Sequence, residues 1–420
     1  MKISIFLAAL GLGGTEKAAA LWANALQARG HTLELLAMQD GPGRGRFADS
    51  IPFHEVREPE AVADCLRRFR PDVIQLHAPG FPFPGDVLWQ ALARLDFKVP
   101  TVQTNVFGLL INPADDPWVT GRTFISWTSC VQAAQRKMRP LDEAFFRRAT
   151  VASYPLPPAR PASPADVAAF RRELGVEEDE VLFGKFARPD MTKWSNLALD
   201  GFRAARRSNR RVKFLVRELP AEVREKSADL IAEKVLIPLP ITSDETLLGL
   251  TISSIDVLLH TSRIGESFGY GIAEAMDLEK PVITDCTPRC DQAQVELVVH
   301  GETGFLANSP RRICHEILRL AGDADLRRRL GRNGAAHIRR LADPEVSTTR
   351  LEGFLEAMVQ GRDNPRLAAD LQTARAARDH LARHAFGHDP LDAAVLRLEY
   401  FAARAVSRTR DAFHAALRRT

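Results

Sequence analysis

Two stretches of the chain alternate short runs rich in Val, Ile, Leu and Thr with segments of helical length, and a proline-dense passage stands between them. Runs that are apolar throughout, rather than at every second residue, suit strands buried on both faces, as in a parallel sheet covered by helices. In the first stretch the runs are KISIFLA, TLELLAM, PDVIQLH, VPTVQT, TFISWT and ATVASY; in the second they are VLFGKFA, VKFLVRE, KVLIPLP, DVLLHTS and KPVITD. Between them, YPLPPARPASPAD can form neither a helix interior nor a central strand, because proline fixes φ and removes the backbone donor. The pattern predicts an α/β chain with two Rossmann-like parallel-sheet domains, over residues 1–155 and 160–342. Residues 343–420 read as a helical C-terminal extension.

With 420 residues, 45% of them hydrophobic, the chain has material for two or three cores and is no small stapled scaffold. Its five cysteines, Cys65, Cys130, Cys286, Cys290 and Cys314, are odd in number and scattered, which suits a reducing, cytoplasmic setting. Cys286 and Cys290 form one close pair, but neither a second pair nor paired histidines complete a zinc set, so no metal site is expected. The opening KISIFLAALGLGG runs into glycines and the charged Glu16 and Lys17, and reads as a buried first strand rather than a secretory leader. No apolar run reaches the length of a membrane span.

The net charge of +4 is concentrated at one end: from Arg362 to Arg419 there are eleven arginines against seven acids, which accounts for all of it. A neutral body excludes a general nucleic-acid surface. From Leu391 onward, Val395, Leu398, Ala402 and Ala405 recur at helical spacing among arginines. Such a helix either packs back across the domains or rests on an anionic membrane face, a peripheral contact at the inner membrane.

The most informative segment is HTSRIGESFGYGIAEAMDLEKPVI, from His260 to Ile283. A buried run ends, a loop with Gly265, Gly269 and Gly271 follows, and a helix is expected from near Tyr270. Backbone N–H groups and the helix dipole at such a start favour a phosphate. Glu266 on the loop and Glu274 about one and a half turns into the helix are spaced to touch opposite ends of one ligand. This segment resembles the E-x7-E signature of retaining glycosyltransferases of family 4, which have the GT-B fold, two Rossmann-like domains facing a cleft. The CTPRCDQAQVELVVHGETGFLA that follows resembles that family's next segment.

The resemblance covers roughly residues 1–345 and carries expectations with it. It implies a nucleotide-sugar donor site on the second domain and an acceptor side on the first. Glu266 is then expected beside the donor sugar, the backbone of Ser267, Phe268, Gly269, Tyr270 and Gly271 beside the diphosphate, and Glu274 at the ribose hydroxyls. In KFARPDMTKWSN, Arg188 and Lys193 can project from a loop toward a diphosphate, and the family stabilises its leaving group with an Arg and a Lys at this place. GLGGTEK opens the first helix, predicted from Thr15 to Gly30, so Gly13, Gly14 and the N–H of Thr15 can reach a phosphate; it resembles the family's GG-x-E loop. A dinucleotide fingerprint fits less well, because Glu16 stands where its third glycine belongs.

Two departures stand out. Many family members carry a histidine after the fourth strand, whereas this chain reads TVQTNVFG, so Gln103 or Asn105 stands at that acceptor-side position and His77, ending PDVIQLH, is a further candidate. Arg217 replaces a common glycine and reads as an ion-pair neighbour of Glu218.

The resulting expectation is a retaining hexosyltransferase that moves a sugar from a nucleoside-diphosphate donor, with UDP favoured, to a hydroxyl acceptor in bacterial-type glycan or glycolipid assembly. Arg188, Lys193 and Glu266 are its catalytic candidates, and no cofactor or metal is called for. The one D-x-D string, Asp323 to Asp325, reads as a surface turn between arginine-rich helices. A GT-B epimerase or phosphorylase and a non-catalytic scaffold are the competing classes.

Overall fold

The computed structural model describes residues 1–78, 85–108, 117–136, 139–189, 191, 193–242 and 244–417, with side chains in the last helix as far as residue 403. The chain divides into two compact units. One comprises Met1–Pro157, Ser267–Tyr270 and Arg339–His380; the other comprises Pro158–Glu266, Gly271–Ile338 and Leu381–Thr420.

The first unit is built on seven strands: β1 (Lys2–Ala9), β2 (Thr32–Gln39), β3 (Phe53–Glu55), β4 (Val73–Ala78), β5 (Thr101–Asn105), β6 (Gly121–Phe124) and β7 (Ala149–Val151). They lie in the order β3-β2-β1-β4-β5-β6-β7, and every pairing is parallel. On one face the helix Pro59–Phe69 brings Val62 and Leu66, and the helix Gly85–Leu92 brings Leu88 and Trp89, against Phe6, Leu36, Ile74 and Leu76. Each such side chain, fully buried, contributes about 1.5–3 kcal/mol.

The helix Gly14–Ala28 buries Ala18, Ala19, Ala20, Trp22, Ala23 and Leu26. The indole N–H of Trp22 donates to Ser347 Oγ at 3.0 Å, tying it to the helix Pro344–Val359. The helix Leu367–His384, as far as His380, joins the same unit through Ala374, packed with Phe124, Trp127 and Phe146, and through the buried Asp370. The Asp370 carboxylate accepts from Thr150 Oγ1 at 2.6 Å and Asn364 Nδ2 at 2.9 Å.

The second unit carries β8 (Val181–Lys185), β9 (Val212–Arg217), β10 (Leu236–Leu239), β11 (Val257–His260), β12 (Val282–Thr284) and β13 (Gly304–Leu306), again all parallel, in the order β10-β9-β8-β11-β12-β13. That is the doubly wound order with its reversal between β8 and β11. The helices Asn196–Ser208 and Pro310–Gly322 cover one face, with Phe202 and Ile317 in a core shared with Phe183, Phe214 and Phe305. They approach so closely at Gly201 that an added Cβ would fall 2.3 Å from Ile313 Cγ2.

Local chemistry moves some boundaries from their expected places. The TFISWT run stops as a strand at Phe124 because the Ser126 hydroxyl accepts from Ser129 N–H at 3.0 Å and starts the helix Trp127–Arg136. The three-residue strand β3 falls outside the apolar runs, whereas β13 lies in HGETGFL, the turn and strand of the segment after the E-x7-E stretch. Among the described residues no helix is long and apolar enough to cross a membrane.

Candidate active site

In an open parallel sheet, ligands bind beyond the carboxyl ends of the strands where the strand order reverses, because the outgoing loops diverge there and leave a crevice. In the second unit those loops are the one after β8, with Arg188 and Lys193, and the one after β11, with Glu266. The fold thus converts two motifs more than 70 residues apart into neighbours. Lys193 Nζ lies 2.9 Å from Glu266 Oε1. Arg188 is exposed on the same loop.

Glu266 is held from several sides. Oε1 also faces His260 Nε2 at 3.0 Å, and Lys193 donates to the carbonyl of Gly265 at 2.8 Å. The Glu266 N–H donates to Gln294 Oε1 at 3.0 Å, while its carbonyl accepts from Ala293 N–H at 2.7 Å. Burial alone would raise this carboxyl, but the Lys193 ammonium and the His260 hydrogen bond outweigh it and bring the pKa down to about 2. Burial and the nearby Lys185 lower the His260 pKa, so the ring contributes as a neutral donor and Lys193 supplies the charge.

Three residues around this pair carry chemistry that the motifs did not reveal: Lys185, His260 and Asp285. Each stands at or just beyond the carboxyl end of an apolar strand, β8, β11 or β12, and that position is the signal that could have singled them out. Lys185 is almost fully enclosed and donates to the carbonyl of Thr261 at 2.5 Å. Burial lowers it to about 8 against the attraction of Asp285 and Glu266. Asp285 accepts from Ser262 N–H at 3.3 Å and is pushed by burial up to about 7.

The loop that carries Glu266 needs glycine. At Gly265 φ is +63°, and a Cβ would fall 1.6 Å from the Asp291 carbonyl oxygen. At Gly269 φ is +94°, just before the helix Tyr270–Asp277. Gly271 opens that helix in turn, and a Cβ there would meet the Phe186 carbonyl at 3.0 Å. Glu274 is half-buried in the helix, and its charge acts on Arg217. Arg217 does not pair with Glu218 as expected: it donates to the Thr242 carbonyl, while Glu218 pairs with Arg224 at 2.5 Å.

Ser267–Tyr270 clusters with the first unit. Phe268 and Tyr270 pack on Tyr154, with ring centroids 5.7 and 5.9 Å away, and Ser126 Oγ donates to the Ser267 carbonyl at 3.0 Å. The GLGGTEK loop meets the same segment: a Cβ at Gly14 would stand 3.0 Å from the Tyr270 ring, and Lys17 Nζ lies 5.3 Å from its centroid. Gly13 and Gly14 are exposed and Thr15 is half-buried at the start of the first helix.

His77 and Asn105 sit at the carboxyl ends of β4 and β5, Gln103 sits in the middle of β5, and all three are buried. The register pairs His77 with Thr104 and Gln103 with Leu76, so His77 points to one face of the sheet while Gln103 and Asn105 point to the other. His77 lies 6.1 Å from the Trp22 ring, with neither ring nitrogen hydrogen-bonded, and burial lowers its pKa to about 3. Of the D-x-D string, Asp323 accepts from Leu326 N–H at a helix junction and Asp325 pairs with Arg328.

Comparison with known proteins agrees with this fold. Residues 168–337 match the family model of Glycosyl transferases group 1. A glycosyltransferase from Rickettsia africae is similar in structure, with a TM-score of 0.71 at 15% identity over 85% of this chain and 98% of that one. Anabaena HepE, solved with UDP-glucose, gives 0.69 at 18% identity over 85% of this chain and 100% of its own. Sucrose-phosphate synthase from Thermosynechococcus elongatus gives 0.63 at 17% identity over 86% and 100%. No curated protein matches in sequence. The group 1 match, lying on a GT-B fold and spanning the Lys193 and Glu266 loops, makes this chain an enzyme of the glycosyltransferase class.

Proposed function

We propose that the protein is a retaining hexosyltransferase of the family 4 kind that transfers a sugar from a UDP-sugar to a hydroxyl acceptor without a metal, in cytoplasmic assembly of a bacterial-type glycan or glycolipid. The observation that carries this reading is the Lys193–Glu266 pair at the β8/β11 reversal, with Glu274 in the helix that follows. HepE, a structural neighbour solved with UDP-glucose, supports the choice of donor.

Breaking the bond between sugar and diphosphate places new negative charge on the leaving phosphate while the sugar becomes oxocarbenium-like. Fixed positive groups aimed at that charge are the largest lever available. Lys193 and Arg188 supply it, with the amino end of the Tyr270–Asp277 helix. Glu266, held ionised, accepts from a sugar hydroxyl and balances the developing positive charge. Glu274 accepts from the ribose hydroxyls. As the anomeric C–O bond breaks, the departing phosphate oxygen takes the proton of the incoming hydroxyl on the same face, so configuration is retained.

A thermal-shift series with UDP-, GDP- and ADP-glucose tests the donor, since a ligand at 100 times its Kd stabilises by about 2.7 kcal/mol. The expected result is a rise with UDP-glucose, abolished in Glu266→Gln, and an α-configured product by NMR. No shift with any nucleotide sugar sinks the proposal; a β-configured product removes the retaining mechanism.

A further inference from the structure

We propose that the helix Pro390–Leu417 is a docking surface for an anionic membrane. Its first turns are anchored in the second unit. Asp389 accepts from the N–H groups of Leu391 and Asp392 and grips Arg312, Asp392 accepts from Ser309 Oγ at 2.8 Å, and Phe386 packs on Tyr400 at 5.6 Å. The side so held carries Ala393, Leu396, Tyr400 and Ala403, all buried or half-buried.

The opposite side reads Leu391, Ala394, Val395, Leu398, Phe401 and Ala402, and every one of these is exposed. Leu391 is 71% exposed, Val395 55%, Leu398 72% and Phe401 61%. Val395, Leu398 and Ala402 of the stripe legible in the sequence are therefore not spent on packing back against the body; an outward apolar ribbon of this kind marks an interaction site.

Charge selects the occupant. From Pro390 to Thr420 the chain has six arginines, Arg397, Arg404, Arg408, Arg410, Arg418 and Arg419, against three acids, Asp392, Glu399 and Asp411. Arg404 and Arg408 follow Arg397 in the sequence, so the excess of positive charge continues beyond the apolar ribbon. A second copy would bring the same excess of positive charge against its equal. An anionic lipid surface neutralises it while the apolar ribbon sinks to the acyl boundary.

The test is co-sedimentation of the full chain with vesicles of phosphatidylcholine alone and of phosphatidylcholine with phosphatidylglycerol at 3:1. The expected result is binding at least about tenfold stronger to the anionic vesicles, falling with salt, and lost in Leu398→Glu/Phe401→Glu. Because both side chains are exposed, that variant keeps the circular dichroism and melting temperature of the parent. Arg404→Gln/Arg408→Gln should weaken binding selectively to the anionic vesicles. Three results would overturn the proposal: no pelleting with either vesicle, binding indifferent to these variants, or equal binding to both lipids. A dimer in light scattering that Leu398→Glu/Phe401→Glu dissolves, with no vesicle binding, would assign the ribbon to a second copy instead.

Discussion

Replacing Lys193 with methionine tests the electrostatics of the candidate site directly. In the folded chain Lys193 and His260 hold the Glu266 carboxyl down to about 2 from the ordinary 4.5, which corresponds to about 3 kcal/mol favouring the ionised form. Because the folded value lies below the unfolded one, this stabilisation is complete above pH 4.5 and disappears as pH falls toward 2; about half is gone by pH 3.5. Burial works against it throughout, so without Lys193 the carboxylate is left enclosed with only the His260 hydrogen bond. Urea unfolding of the parent, Lys193→Met, Glu266→Gln and the double variant closes a thermodynamic cycle. The expected coupling is about 2 kcal/mol at pH 7, and about half of that at pH 3.5. A coupling below about 0.5 kcal/mol at pH 7, or one that does not change with pH, would show that the 2.9 Å contact does not set the ionisation of Glu266.

Two further substitutions probe the scaffold. Gly265→Ala forces a side chain into the left-handed region and against the Asp291 carbonyl, at about 3 kcal/mol or more; a melting temperature within a degree of the parent would contradict this, and the UDP-glucose shift should weaken with it because the Gly265 carbonyl seats Lys193. In the first unit, burial raises Glu34 from 4.5 to about 7 although Ser4 donates to it. Its ionisation therefore costs nothing below pH 4.5 and about 3 kcal/mol above pH 7, so Glu34→Gln should raise the melting temperature by several degrees at pH 8 and leave it unchanged at pH 4.5.

The parallel sheets were legible because strands buried on both faces must be apolar at every position. KISIFLA and VLFGKFA announce themselves on that ground, whereas β3, only Phe53–Glu55 at a sheet edge, has too little buried surface to leave a pattern. The Glu266 loop was legible for a different reason: its glycines are conformational necessities, as the positive φ at Gly265 and Gly269 shows.

What the chain order hides is everything that depends on which strands become neighbours. Lys185, His260 and Asp285 each look like the end of a separate strand, and only the order β8-β11-β12 brings those ends side by side. The same limit applies to His77, near the end of β4, and Gln103, in the middle of the adjacent β5. Their pairing register sends them to opposite faces of one sheet, so a single acceptor hydroxyl held between their side chains is incompatible with β4 and β5 as paired. Under the proposed function, an acceptor contact on the first unit would draw on one face or the other. The Gln103 face is the better supplied: its amide has both ends buried without a hydrogen-bond partner and Asn105 stands two residues on, whereas His77 is enclosed beside Trp22 and kept neutral.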